Sequence, residues 1–233
     1  MIIEAFGYEW RTSQPWGRYH PDNSKAWYSD DCVNIRGDKL ELSTFYDCKN
    51  FDNTTRPMAC GLISSEYDDF GYGEYEIIVR LPRGRELWPA FWFAPVGEAP
   101  PEVDVFEAET RKTKGYYNLD IGSPEAFWLI KSNAHYGLDY VYDHHELGPK
   151  RSFMGFKNPQ YHYLSYKFIW TEDYIKIYYN NIRNRFIRNE GIINAFRGKK
   201  IRIIINNIVS DKFKDFEKQS SMMIKSFSYK PLR

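Results

Sequence analysis

The sequence predicts an all-β protein of the sandwich or barrel type, and three observations carry that reading. Short runs of alternating apolar and polar residues, separated by turn residues, recur along the chain. Aromatic residues make up 18% of it, as 19 Tyr, 16 Phe and 7 Trp, and aromatic side chains favour strands. Its 233 residues suit one domain, because sandwiches reach this size without splitting.

Taken in order, Asp38–Phe45 alternates with period two and reads as a strand. Glu74–Leu81 does so less strictly, and Pro82-Arg-Gly84 closes it with a turn. Further strands are expected at Tyr163–Trp170, Tyr174–Tyr179, Lys200–Asn206 and Met222–Tyr229, with Asn180-Asn181 as a hairpin tip. A short helix is expected only at Glu190–Phe196. Residues 121–159 are less regular and rich in His, Tyr, Gly and Pro, so they are expected to form loops over a cleft. Neither repeat nor linker divides the chain, which reads as a single domain over residues 1–233.

Composition narrows the function. A net charge of +1 and a pI near 7.7 give no electrostatic case for nucleic acid or a membrane surface, and no stretch reaches the roughly 20 apolar residues of a membrane helix. Cys32, Cys48 and Cys60 make an odd set and are expected to be thiols rather than a disulfide framework. Asn53-Thr-Thr55 reads as a surface turn. The first residues lack the basic and apolar regions of a signal peptide, so either export by that route is not expected or the chain starts past a cleavage site. The aromatic excess also suits a sugar-binding cleft, since the C–H face of a pyranose stacks on a flat ring.

The chemistry concentrates in Glu102-Val-Asp-Val-Phe-Glu107. In a regular strand Glu102 and Asp104 share a face and Glu107 takes the other. A β-bulge, with Phe106 taken up at the extra position and Val103 and Val105 in the core, returns Glu107 to the face of the other two. Three carboxylates on one face repel one another, and such a row is kept for metal binding or for acid–base and nucleophilic work. With no His seen beside them, metal binding is the weaker of these readings, and neither metal nor cofactor is expected.

The surrounding residues resemble glycoside hydrolase family 16. Gly61-Leu-Ile-Ser-Ser65, Phe70-Gly-Tyr-Gly-Glu-Tyr-Glu76 and Glu86-Leu-Trp-Pro-Ala-Phe-Trp-Phe-Ala-Pro95 precede the acids, and Tyr161–Tyr179, Ile203–Asn206 and Met223–Tyr229 continue the likeness. The resemblance implies a concave jelly roll of the concanavalin A-like lectin/glucanase type. It also implies a retaining endo-glycosidase acting on a β-glucan or β-galactan, secreted and expected as a monomer. Glu102 then matches the nucleophile, Glu107 the acid/base, and Asp104 the residue that tunes both, its charge and that of Glu102 raising the pKa of Glu107. Six-residue spacing matches the laminarinase-, agarase- and carrageenase-like members. Trp88, Trp92, His135, Trp16 and Arg18 are the expected sugar-binding residues. Glu109 is expected at the rim, and His144-His145 in a loop. Lys225 stands where many members have a calcium-binding Asp, so that calcium site is not expected. A non-catalytic lectin-like protein and a transglycosylase on the same fold are the alternatives.

Overall fold

The computed structural model describes residues 1–14, 16–20, 23–65, 70–84, 86–95, 100–108, 130–138, 143–148, 150–151, 159–211 and 219–232. Among them run strands β1 (Ile2–Ala5), β2 (Tyr8–Arg11), β3 (Ala26–Tyr28), β4 (Val33–Arg36), β5 (Lys39–Phe51), β6 (Thr54–Ser65), β7 (Gly73–Arg80), β8 (Leu87–Pro95) and β9 (Glu102–Ala108). There follow β10 (Ile130–Gly137), β11 (His144–Glu146), β12 (Lys150–Arg151), β13 (Leu164–Trp170), β14 (Ile175–Tyr179), β15 (Ile182–Ile187), helix α1 (Glu190–Phe196), β16 (Ile201–Val209) and β17 (Ser220–Pro231).

Apart from β3, which pairs with β6 in parallel, the strands form two antiparallel layers. One runs β1-β2-β6-β16-β8-β9-β10, with β11 and β12 on the far edge of β10. The other runs β4-β5-β17-β7-β13-β14-β15. Strand β6 joins them, pairing with β5 along its first part and with β16 and β2 along its second. Where β6 changes layer the backbones nearly touch: a Cβ on Gly61 would stand 2.7 Å from the Cys32 carbonyl and 2.9 Å from Leu42 Cα. Only glycine fits that crossing.

Period-two alternation places the core. On β8, Phe91 and Phe93 enter the cluster between the layers, while Ala90, Trp92 and Ala94 join a second cluster on the outer face of the same sheet. Strand β8 is thus covered on both faces, which is why its sequence is apolar almost throughout. Phe106 is fully buried, its ring centroid 4.4 Å from Tyr166. Phe106→Ala should cost about 3–5 kcal/mol through lost burial and the cavity left behind, read as a lower urea midpoint at unchanged slope.

The six anticipated strands are present, each end within six residues of the expectation, and the helix spans the expected residues behind its Asn189 cap. Both hairpin-tip residues, Asn180 and Asn181, take positive φ, 47° and 67°, as a tight two-residue turn requires. The stretch expected as loops departs from its reading, because its described residues include β10, β11 and β12. Strand β10 hides from an apolar pattern since Ser132 and Asn133 are buried. Ser132 is satisfied by Asn184 and by Arg185, whose Nε donates to its Oγ at 3.1 Å. The three cysteines are thiols, with Cys32 and Cys60 buried and Cys48 exposed.

Candidate active site

Strand β9 lies between β8 and β10, and its register slips on both sides. Against β8, Phe91 pairs with Phe106 and Trp92 with Asp104, leaving Val105 without a partner. Against β10, two steps from Lys131 to Asn133 match three from Glu107 to Asp104. The result is a bulge, as the spacing of the acids requires, but the unpaired residue is Val105 rather than Phe106. Val103, Val105 and Phe106 all enter the interlayer core. Consecutive side chains on one face are what a bulge produces. Glu102, Asp104 and Glu107 consequently line one cavity, together with His20, Asn23, Tyr28, Trp88, Ala90, Trp92, Asn206 and Ile208. A larger cavity of about 710 Å³ lies under the β1–β2 hairpin between Phe6, Tyr8, Phe70 and Tyr229. Its carboxylates, Glu4 and Glu9, are simple cross-strand neighbours, so the chemistry points to the cavity at β9.

Glu107 is only 8% exposed. Trp88 Nε1 donates to its Oε1 at 2.9 Å, and Lys131 Nζ stands 3.5 Å from Oε2. Burial, followed by the charge of Asp104, pushes its carboxyl up from 4.5 to about 7 against the pull of Lys131, Trp88 and His135. The expected cause, two negative neighbours, is corrected on that point: desolvation leads and Asp104 is the carboxylate that adds to it. Asp104 is buried, and its Oδ2 has no hydrogen-bond partner. His135 Nε2 approaches that oxygen to 3.4 Å, within ion-pair reach but not aligned as a hydrogen bond. Burial lowers the imidazole pKa, and Asp104, Glu146 and Glu107 outweigh it and raise the value.

Neighbouring strands brace these groups. Asn206 on β16 accepts from Trp92 Nε1 at 2.9 Å and donates through Nδ2 to the Trp88 carbonyl at 3.2 Å, so one amide ties the Trp92 ring to the Trp88 backbone. Asn133 Nδ2 lies 3.0 Å from His135 Nε2 and donates to Glu146 Oε1 at 2.8 Å, while His135 Nδ1 lies 2.9 Å from His144 Nε2. Tyr28 also lines the cavity, and burial holds its phenol well above the usual tyrosine range.

A two-layer antiparallel sandwich with three acids converging at a bulge meets an independent finding: the family model for glycosyl hydrolases family 16 matches residues 21–223. The chain belongs to that family.

The family 16 fold extends to solved structures. LamAcat from Zobellia galactanivorans superposes with a TM-score of 0.72 at 14% identity, covering 94% of this chain and 88% of that one. The laminarinase catalytic domain from Thermotoga maritima gives 0.69 at 15% identity, with 96% and 99% covered. A κ-carrageenase from Pseudoalteromonas carrageenovora gives 0.70 at 12% identity, with 94% and 88% covered. A β-1,3-glucan-binding protein from Penaeus monodon is 25% identical over 128 residues, 46% of this chain and 35% of that protein. The chain therefore spans about a third of this relative's length.

The other expected residues of this family 16 chain divide. Trp88 and Trp92 line the cavity as their spacing implied. His135 stands 3.4 Å from Asp104, opposite Glu102 in the ladder, and is not among the described lining residues. Trp16 is half exposed, its ring centroid 6.4 Å from Trp92. Arg18 is committed elsewhere. Its Nη1 and Nη2 meet the two oxygens of Asp30 at 2.6 and 3.1 Å, and Nη1 also donates to the Thr12 carbonyl at 3.0 Å. A guanidinium fork matches a carboxylate in this way, so Arg18 braces the N-terminal segment. His144 and His145 lie in β11 rather than a loop, and His135 overturns the premise that no imidazole stands near the acids. Lys225 is exposed at a register shift of β17. Glu109 lies outside the described residues.

Proposed function

We propose that this protein is a retaining endo-hydrolase of β-linked polysaccharide, with a β-1,3- or mixed-linked glucan as the leading substrate class and a β-galactan as the other. The observation that carries the reading is the shared cavity of Glu102, Asp104 and Glu107, in which Glu107 titrates near 7. In the first step the Glu102 carboxylate attacks the anomeric carbon, the glycosidic C–O bond breaks, and Glu107 gives its proton to the leaving oxygen. In the second, Glu107 takes a proton from water, whose oxygen attacks the anomeric carbon and frees Glu102. A carboxyl with pKa near 7 stays protonated at mildly acid pH and is still basic enough for the return transfer. Asp104, between the two, favours the protonated form of Glu107 and has His135 Nε2 at 3.4 Å. Trp88 and Trp92 offer ring faces for the sugar.

Support for glucan comes from the laminarinase structures and from the name of the Penaeus relative. The test is reducing-sugar release from laminarin, lichenan, agarose and κ-carrageenan, with the first-formed anomer followed by NMR. The expected result is product from laminarin or lichenan, released as the β-anomer. Binding to these polymers with no product from any of them would favour the lectin-like alternative, and an α-anomer formed first would exclude retention.

A further inference from the structure

We infer that Glu102, Asp104 and His135 form a binding site for a divalent transition-metal cation, Zn²⁺ in the first place, which competes with sugar for this cavity. Among the described residues this is the one group of three whose possible ligand atoms lie close together, all within 4.8 Å of one another. Bonds of about 2.0–2.2 Å in a tetrahedral zinc shell set donor atoms roughly 3.3–3.6 Å apart. Asp104 Oδ2 and His135 Nε2 already stand at 3.4 Å, and Glu102, within 4.8 Å of both, needs to close by at most about 1.5 Å to complete three protein ligands.

A second observation points the same way. Asp104 is 3% exposed, and its Oδ2 is buried without a hydrogen-bond donor. A buried carboxylate oxygen without a donor carries a desolvation cost, which the imidazole at 3.4 Å offsets only in part and a cation between the two removes. The imidazole is also held as a ligand would be. With Nε2 toward Asp104, its Nδ1 meets His144 Nε2 at 2.9 Å, and a ligating histidine is ordinarily oriented through its other ring nitrogen. The donors sit on adjacent strands in fixed register, His135 opposite Glu102 and Asn133 opposite Asp104, so little ordering is needed. One imidazole with two carboxylates suits Zn²⁺ and its neighbours in the transition series rather than Mg²⁺ or Ca²⁺, which prefer all-oxygen shells. Since Glu102 is the proposed nucleophile, the bound ion blocks its attack. That consequence rests on the hydrolase reading, whereas the binding itself does not.

The experiment titrates ZnCl₂ by calorimetry into chelator-dialysed protein carrying Cys48→Ser, which removes the one exposed thiol. A single 1:1 site is expected, weakened at least about tenfold by His135→Gln or Glu102→Gln, each with a wild-type circular dichroism spectrum, and MgCl₂ should give no such heat. Affinity unchanged in His135→Gln, or no saturable site in the Cys48→Ser protein, overturns the inference. In parallel, Zn²⁺ should raise KM for polysaccharide at constant kcat, and less so in His135→Gln. Zinc binding through these residues in a protein inactive on every polymer would sink the hydrolase reading and leave the metal site. An active enzyme with no zinc site would do the reverse.

Discussion

Glu102→Gln is expected to lower kcat by on the order of 10⁵-fold, the scale seen when a covalent nucleophile is removed, while leaving the fold intact. That loss corresponds to about 7 kcal/mol of transition-state stabilisation. The amide keeps the shape of the carboxyl in a half-buried strand position, so neither packing nor register should change, and circular dichroism and urea midpoint should match the parent. What disappears is the charge that bonds to the anomeric carbon. Azide separates the two carboxyl roles. With an aryl β-glycoside carrying a good leaving group, Glu102→Ala should turn over on adding azide and release the α-glycosyl azide, because the small anion attacks once from the opposite face. Glu107→Ala should instead release the β-glycosyl azide, since Glu102 still forms the covalent intermediate. If Glu102→Ala gave the β-product, the assignment of the two acids would be reversed. If Glu102→Gln kept more than a few per cent of the activity, the double displacement would be wrong.

How much of this was legible in the sequence depends on which force fixes each residue. Strands facing one apolar layer show their period, as Leu164–Trp170 and Ile175–Tyr179 do with alternate residues buried. The bulge was legible because three acids spaced two and then three apart cannot share a face of a regular strand. Which residue it left unpaired was not, because Val105 and Phe106 are both acceptable core residues and only the ladders of β8 and β10 distinguish them. Strand β10 was hidden because hydrogen bonds compensate its buried polar residues, Ser132 through Asn184 and Arg185 and Asn133 through Glu146, and periodicity registers only hydrophobicity. The one available signal for Asn206 was a pair of amides, Asn206 and Asn207, in an otherwise apolar run from Ile203 to Ile208. The pairing of Arg18 was not legible, because its partner Asp30 lies twelve residues on and no local pattern marks it.

Glu107→Gln should show opposite effects on catalysis and stability, because one cause, burial beside Asp104, underlies both. For activity, losing the proton donor should cost about 10²–10⁴-fold on polysaccharide, whose leaving oxygen needs protonation. On a dinitrophenyl glycoside the first step needs no acid, so the covalent intermediate should accumulate and appear as a burst. For stability, the folded-state carboxyl titrates near 7 against an ordinary 4.5. Between those two pH values the folded chain holds a proton that the unfolded chain has released, so the contribution of Glu107 falls as pH rises through this window. Above pH 7 the ionised, buried carboxylate costs the fold on the order of 3 kcal/mol. An uncharged amide escapes that cost and keeps an oxygen to accept from Trp88 Nε1, which now donates to Glu107 at 2.9 Å. Urea unfolding at pH 8 should therefore find Glu107→Gln more stable than the parent, by up to ~3 kcal/mol, and the difference should shrink toward zero at pH 4. A variant with the same stability difference from the parent at both pH values would mean that Glu107 titrates like an ordinary surface acid, and it could not then hold the proton that the first step consumes.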